Sequence, residues 1–231
     1  IPKFRYSRRM KRRDRRENEV RAANIKYVRE NRALVESGQH WNCLVRFAEL
    51  VLMKPDRIED EFGDEVIVRN ALRNCLSLVA PHVPNLSKLA ELQCGSQYHV
   101  SETILYAACL EILRRDGNLN SVPSDLLRAL RTNLDMHYGA LQEGEQEALK
   151  AEVDRLAFPS VKVAELFCRQ YIEPQLRDRR CNHPQVHWLR HDPVFKSLSP
   201  KLACEWLCSF ALMPLSALDT LFEIAAQHVD Q

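Results

Sequence analysis

Residues 101–117, SETILYAACLEILRRDG, read as a helix at the centre of a helical core. Ile104, Leu105, Ala108, Cys109, Ile112 and Leu113 recur at the three- and four-residue spacing of a helix face. Ser101 stands where a capping hydroxyl is wanted, and Gly117 can close the helix in the left-handed conformation. So wide an apolar surface does not suit a helix with one wet side, and a central position follows.

On either side the same period recurs. Towards the N-terminus, Trp41, Leu44, Val45, Ala48, Val51 and Leu52 share one face before Pro55. Val68, Ala71, Leu72, Cys75 and Val79 repeat it before Pro81, and Leu86, Leu89 and Leu92 lie between Pro84 and Gly95. Towards the C-terminus, Leu126, Leu127, Leu130 and Leu134 predict one helix, and Ala148, Leu149, Val153 and Leu156 another. Ser160 is placed to cap a helix with Val163, Leu166, Phe167 and Tyr171 as its apolar face, which Pro174 should end or kink. Ser199 and Pro200, in N-cap and N1 order, precede Leu202, Ala203, Trp206, Leu207, Phe210 and Ala211. Ser216 and Asp219 resemble a capping arrangement for a last helix facing inward through Leu218, Leu221, Phe222, Ala225 and Val229.

Strand alternation is nearly absent. About nine or ten helices are expected, as an all-α irregular multi-helix bundle or a HEAT-like array of antiparallel helical pairs. No residue pattern returns at a fixed interval, which argues against a regular solenoid. Residues 1–36 form a basic helical arm and 37–231 a helical body, with a subdivision suggested near 175–200, where charge, His and Pro accumulate.

At 231 residues, 45% hydrophobic and 28% charged, the chain can bury a sizeable core. No apolar run approaches the roughly twenty residues that cross a bilayer, so membrane insertion is not expected. The basic N-terminus lacks the apolar segment of a secretory signal. An opening on Ile1 rather than Met suggests a piece of something longer. The eight cysteines are scattered through apolar patterns rather than arranged as a disulfide framework, which favours a reducing, cytoplasmic compartment and thiols packed as small hydrophobes.

Charge is divided sharply along the chain. The first 32 residues carry 13 Lys and Arg against 4 Asp and Glu, a balance of +9, while the remaining 199 carry 20 against 27, or −7. On a helix, Arg8, Arg9, Lys11, Arg12, Arg13, Arg15 and Arg16 cover roughly 200° of the circumference, which no core accommodates. Such a face suits phosphates, an acidic protein surface or solvent. Phe4 and Tyr6 add a weak stacking signature for nucleic acid. Beyond Val20, the spacing of Val20, Ala23, Tyr27, Leu34 and Val35 predicts that the helix continues and docks on the body. The acidic run Asp56, Glu59, Asp60, Glu61, Asp64 and Glu65 reads as a loop before a helix at Val66, and it lacks the ligand spacing of a calcium loop.

Chemistry has one weak locus. Cys181, His183, His187 and His191 precede Cys204 and Cys208, and the pairs His187/His191 and Cys204/Cys208 each have helical i,i+4 spacing that two facing helices would need for a zinc site. Surface histidines and core cysteines explain the same residues without a metal. The dipeptide His191–Asp192 resembles the HD feature of metal phosphohydrolases, but Pro193 follows it directly. Phosphate-binding loops, dinucleotide fingerprints, nucleophile elbows and HExxH motifs are missing from the sequence. Trp41 and Trp206 are expected in the core, and Trp188, among charged and imidazole neighbours, as an exposed anchor at a protein interface.

These readings favour a non-catalytic interaction or scaffold module that binds a protein partner, with no cofactor. A nucleic-acid-binding module using the arm is the alternative, and a metal-dependent hydrolase built on residues 181–192 the weaker one.

Overall fold

A computed structural model describes residues 2–229, with side chains from 10 to 227. The described residues form fourteen α-helices and no strand. In chain order they are α1 (Pro2–Glu30), α2 (Arg32–Glu36), α3 (Trp41–Met53), α4 (Ile58–Phe62), α5 (Glu65–Asn74), α6 (Leu76–Val79) and α7 (Leu86–Cys94). There follow α8 (Val100–Asp116), α9 (Ser124–Arg131), α10 (Glu145–Ala157), α11 (Val161–Arg177), α12 (Trp188–His191), α13 (Ser199–Ser209) and α14 (Leu215–Val229). None of them is long and apolar enough to cross a membrane.

Capping chemistry explains many of the boundaries. Asp64 accepts from the Ile67 amide at 3.1 Å, and Asn85 accepts from the Lys88 amide at 2.9 Å. At the head of α8, Glu102 accepts from the backbone amide of His99 at 2.6 Å, one arm of a capping box in which the histidine takes the usual serine's place. Ser101 is therefore not the cap; its hydroxyl donates to the His82 carbonyl at 3.1 Å and is buried. Similarly, the Ser216 hydroxyl donates to the Asn182 carbonyl at 2.8 Å instead of capping α14.

The central position expected for α8 is met. Ile104, Leu105, Ala108, Cys109 and Ile112 are buried, as are Tyr106, Ala107 and Leu110 on the other sides. Helices α3, α5, α6, α9 and α10 pack around it. Non-consecutive pairs such as α3 with α8 and α7 with α11 dominate the packing, the pattern of an irregular bundle more than of a linear stack. Val186, Trp188, Leu189, Phe195 and Leu198 belong to the same continuous core as the helices before them.

Three apolar faces are rotated from their sequence assignment. The arm docks through Arg21, Asn24, Ile25 and Val28, one position on from the face that begins at Val20, and Val20, Tyr27 and Leu34 are exposed. In α11 the buried side is Ala164, Phe167, Cys168, Tyr171 and Ile172, leaving Leu166 outside. In α14 it is Ala217, Leu221 and Ile224, with Phe222 58% exposed and the Val229 side chain outside the described residues. Periodicity gives the face, but the neighbour that arrives from elsewhere in the chain selects its centre. The acidic run, expected as a loop, is instead a 3-10 turn (Pro55–Arg57) leading into α4, on which α1 packs.

Gly38, just past the end of α2, lets the chain there pass close against the end of α5. Its φ is +73°, and an added Cβ would sit 2.7 Å from both the Ala71 carbonyl oxygen and the Cys75 Cα. Gly38→Ala combines left-handed strain with a backbone clash, so it should lower stability by about 2–4 kcal/mol in urea unfolding. A loss below about 0.5 kcal/mol would contradict this packing.

Candidate functional site

An open groove of about 900 Å³ lies between α7, α9 and the outer face of α11. Its apolar lining is Val83, Leu86, Leu126, Val163 and Leu166. Leu166 is 55% exposed, although it occupies a mid-helix position that the sequence marks as core. Arg128, Arg169 and Arg177 also line it. All three are paired: Arg128 binds Asp125, Arg169 is shared among Glu165, Glu173 and Glu205, and Arg177 binds the same Glu173 at 3.1 Å. Pro174 lies one turn before the end of α11, and its missing amide leaves the Gln170 carbonyl without its i+4 donor at the groove wall. The wall therefore offers exposed hydrocarbon flanked by polar groups, a surface that can hold a peptide segment.

The arm behaves differently from the groove. Every residue from 10 to 20 is exposed, including Lys11, Arg12, Arg13, Arg15 and Arg16. Arg13 binds Glu17 and Arg15 binds Glu19, each at 2.9 Å and within the same helix. Among the described residues none of these five cations pairs with a carboxylate of the body. The acidic run is engaged elsewhere: Glu61 accepts from Arg46 at 2.7 and 2.9 Å and pairs with Arg57 at 2.9 Å, while Arg32 lies 3.9 Å from Asp64. The side chains of Phe4, Tyr6, Arg8 and Arg9 lie outside the described residues.

Trp188 corrects the expectation of an exposed anchor, since it is 3% exposed. It stacks with Phe167, Tyr171 and Phe195, and its indole N–H donates to Asp135 at 2.9 Å. Of the charged and imidazole neighbours that made it look like a surface residue, His187, Arg190 and His191 are exposed and only Asp192 belongs to an interior network. Arg131, 0% exposed, lies 4.7 Å from the Trp188 ring centroid and 5.5 Å from that of Phe195. It donates to Asp154 at 2.8 Å and to Asp192, which also receives the Lys150 ammonium at 2.8 Å. Burial pushes the Asp154 carboxyl above its usual range, and the charge of Arg131 opposes that shift. Asp192, the acidic half of the HD dipeptide, is thus committed to a buried ion cluster, while His191 is exposed.

The His and Cys residues do not converge. His183, His187 and His191 are on the surface, and Cys204 and Cys208 are exposed on α13 rather than in the core. Cys181 is buried against Cys94, and desolvation raises both thiols. Among the described residues no group of three or more His, Cys, Asp or Glu is placed to hold a metal ion.

A second interior charge cluster, invisible to motif reading, centres on Glu111. This fully buried carboxylate in α8 receives Arg69, Arg73 at 3.1 Å and Arg114 at 2.8 Å, and Arg114 also grips Glu145 through two contacts of 2.7 Å. Both clusters have matched charges and tie helices together. Comparison with protein-family models, with curated proteins and with solved structures finds no match.

Proposed function

We propose that the chain is a non-catalytic helical interaction module that holds a segment of a protein partner in the groove between α7, α9 and α11. The observation that carries this reading is Leu166, a large apolar side chain more than half exposed in the lining of a groove of about 900 Å³. Support also comes from the fate of the groups that could do chemistry. Burial pushes the Cys75 and Cys168 thiols up to about 12, which keeps them protonated, and the buried carboxylates Glu111 and Asp192 are occupied by arginines. A reducing, cytoplasmic setting suits eight cysteines that are all free.

The test is selection of peptides from a random display library on the immobilised chain, at high salt to silence the arm. Peptides selected on the native chain should lose at least about 30-fold in affinity for Leu166→Glu, the equivalent of one interface hot spot. Because Leu166 is exposed, the substitution should change stability by less than about 0.5 kcal/mol. Selected peptides that bind both chains equally, or a library that yields none, would remove the groove from the account.

A further inference from the structure

We infer that the exposed part of α1 is a phosphate-binding helix that lies in the major groove of duplex DNA without reading its sequence. Residues 10–20, about 16 Å of helix, are all exposed, and the first half-buried residue of the arm is Arg21. Over this stretch Lys11, Arg12, Arg13, Arg15 and Arg16 sweep about 200° of the circumference. Two of them are tied only to carboxylates of the same exposed surface, Glu17 and Glu19, contacts that phosphates can displace.

The fold gains little from this arrangement. α1 has no acidic residue in its first turn to offset the partial positive charge of its N-terminal end. Each Arg also precedes its Glu, the weaker order for an i,i+4 pair. An external polyanion is what such a helix stabilises and is stabilised by.

The distribution of charge selects among polyanions. A flat anionic bilayer meets one side of a helix and rewards an apolar face, whereas residues 10–20 offer only Met10 and Val20. Single strands are held by stacking, and this stretch contains no aromatic residue. The major groove of A-form RNA is deep and narrow. The major groove of B-DNA, about 12 Å wide, admits a helix and presents phosphates on both flanks, which matches cations spread over more than half of the circumference.

Fluorescence anisotropy of a labelled mixed-sequence DNA duplex, titrated with the full chain over a salt series, tests this. Five phosphate contacts predict a slope of log K against log salt of about −4 to −5, or roughly 500-fold weaker binding at about 200 mM than at about 50 mM. Replacing Lys11, Arg12, Arg13, Arg15 and Arg16 together by Gln should bring the slope within about one unit of zero. Changing the four arginines to Lys should preserve it, and this variant keeps the test valid if the Gln variant misfolds. The proposal is overturned if the native chain does not bind, if the Gln variant retains the native slope, or if the Lys variant loses it. Equal binding of duplex RNA, or binding of phosphatidylserine vesicles or polyglutamate in preference to DNA, would also overturn it.

Discussion

Arg131→Met is expected to lower the unfolding free energy by about 3–5 kcal/mol, because it removes one side of a buried ion cluster and leaves the other in place. Asp154 would lose its 2.8 Å donor, and Asp192 would keep Lys150 and the Val194 amide but no arginine. Methionine restores much of the volume between the Trp188 and Phe195 rings, so the loss reports charge more than cavity. Pairing the change with Asp192→Asn should therefore cost less than the two single changes added together, by about 1–3 kcal/mol. Denaturant unfolding of the three variants checks this. A single-variant loss under about 1 kcal/mol, or strict additivity, would mean that the cluster is not coupled as described.

Glu111→Leu should be nearly as damaging, at about 3 kcal/mol, since it leaves three half-buried guanidinium groups without their shared buried acceptor. Arg69 retains Glu65 and Arg114 retains Glu145, so the deficit falls on Arg73, whose remaining acceptors are the Glu111 carbonyl at 3.3 Å and the Asn70 amide oxygen at 3.1 Å. Glu111→Gln keeps one acceptor oxygen and should lose less, about 1–2 kcal/mol. Equal losses for Leu and Gln would show that packing, and not acceptance of the arginines, is what Glu111 provides to α8.

Both clusters show where reading the sequence succeeds and where it stops. The burial of α8 is legible because Ile104 through Leu113 leave no wide polar stripe, and the exposure of residues 11–19 is legible because their polar residues leave no apolar stripe. Glu111, by contrast, is the one acid in the apolar run from Ile104 to Leu113 until α5 brings Arg69 and Arg73 to join Arg114 of its own helix. Asp192 and Arg131 are separated by 61 positions, so the HD dipeptide could be seen while its partner could not. The same distance in sequence explains Trp188: its charged neighbours along the chain suggested a surface, but Arg131, Asp135, Phe167 and Tyr171, all far away in sequence, are what cover it. The groove was illegible for a complementary reason. Leu166 has the spacing of a core residue, and only the pairing of α7 with α11 shows that nothing covers it.

Function in this account resides on outer surfaces, while the buried charges hold the bundle together. The most direct measurement is amide hydrogen exchange of the full chain with and without a groove-selected peptide. Slowed exchange confined to residues 83–90, 124–130 and 163–175 is the predicted result. Protection centred instead on residues 181–209, with the groove unchanged, would contradict it.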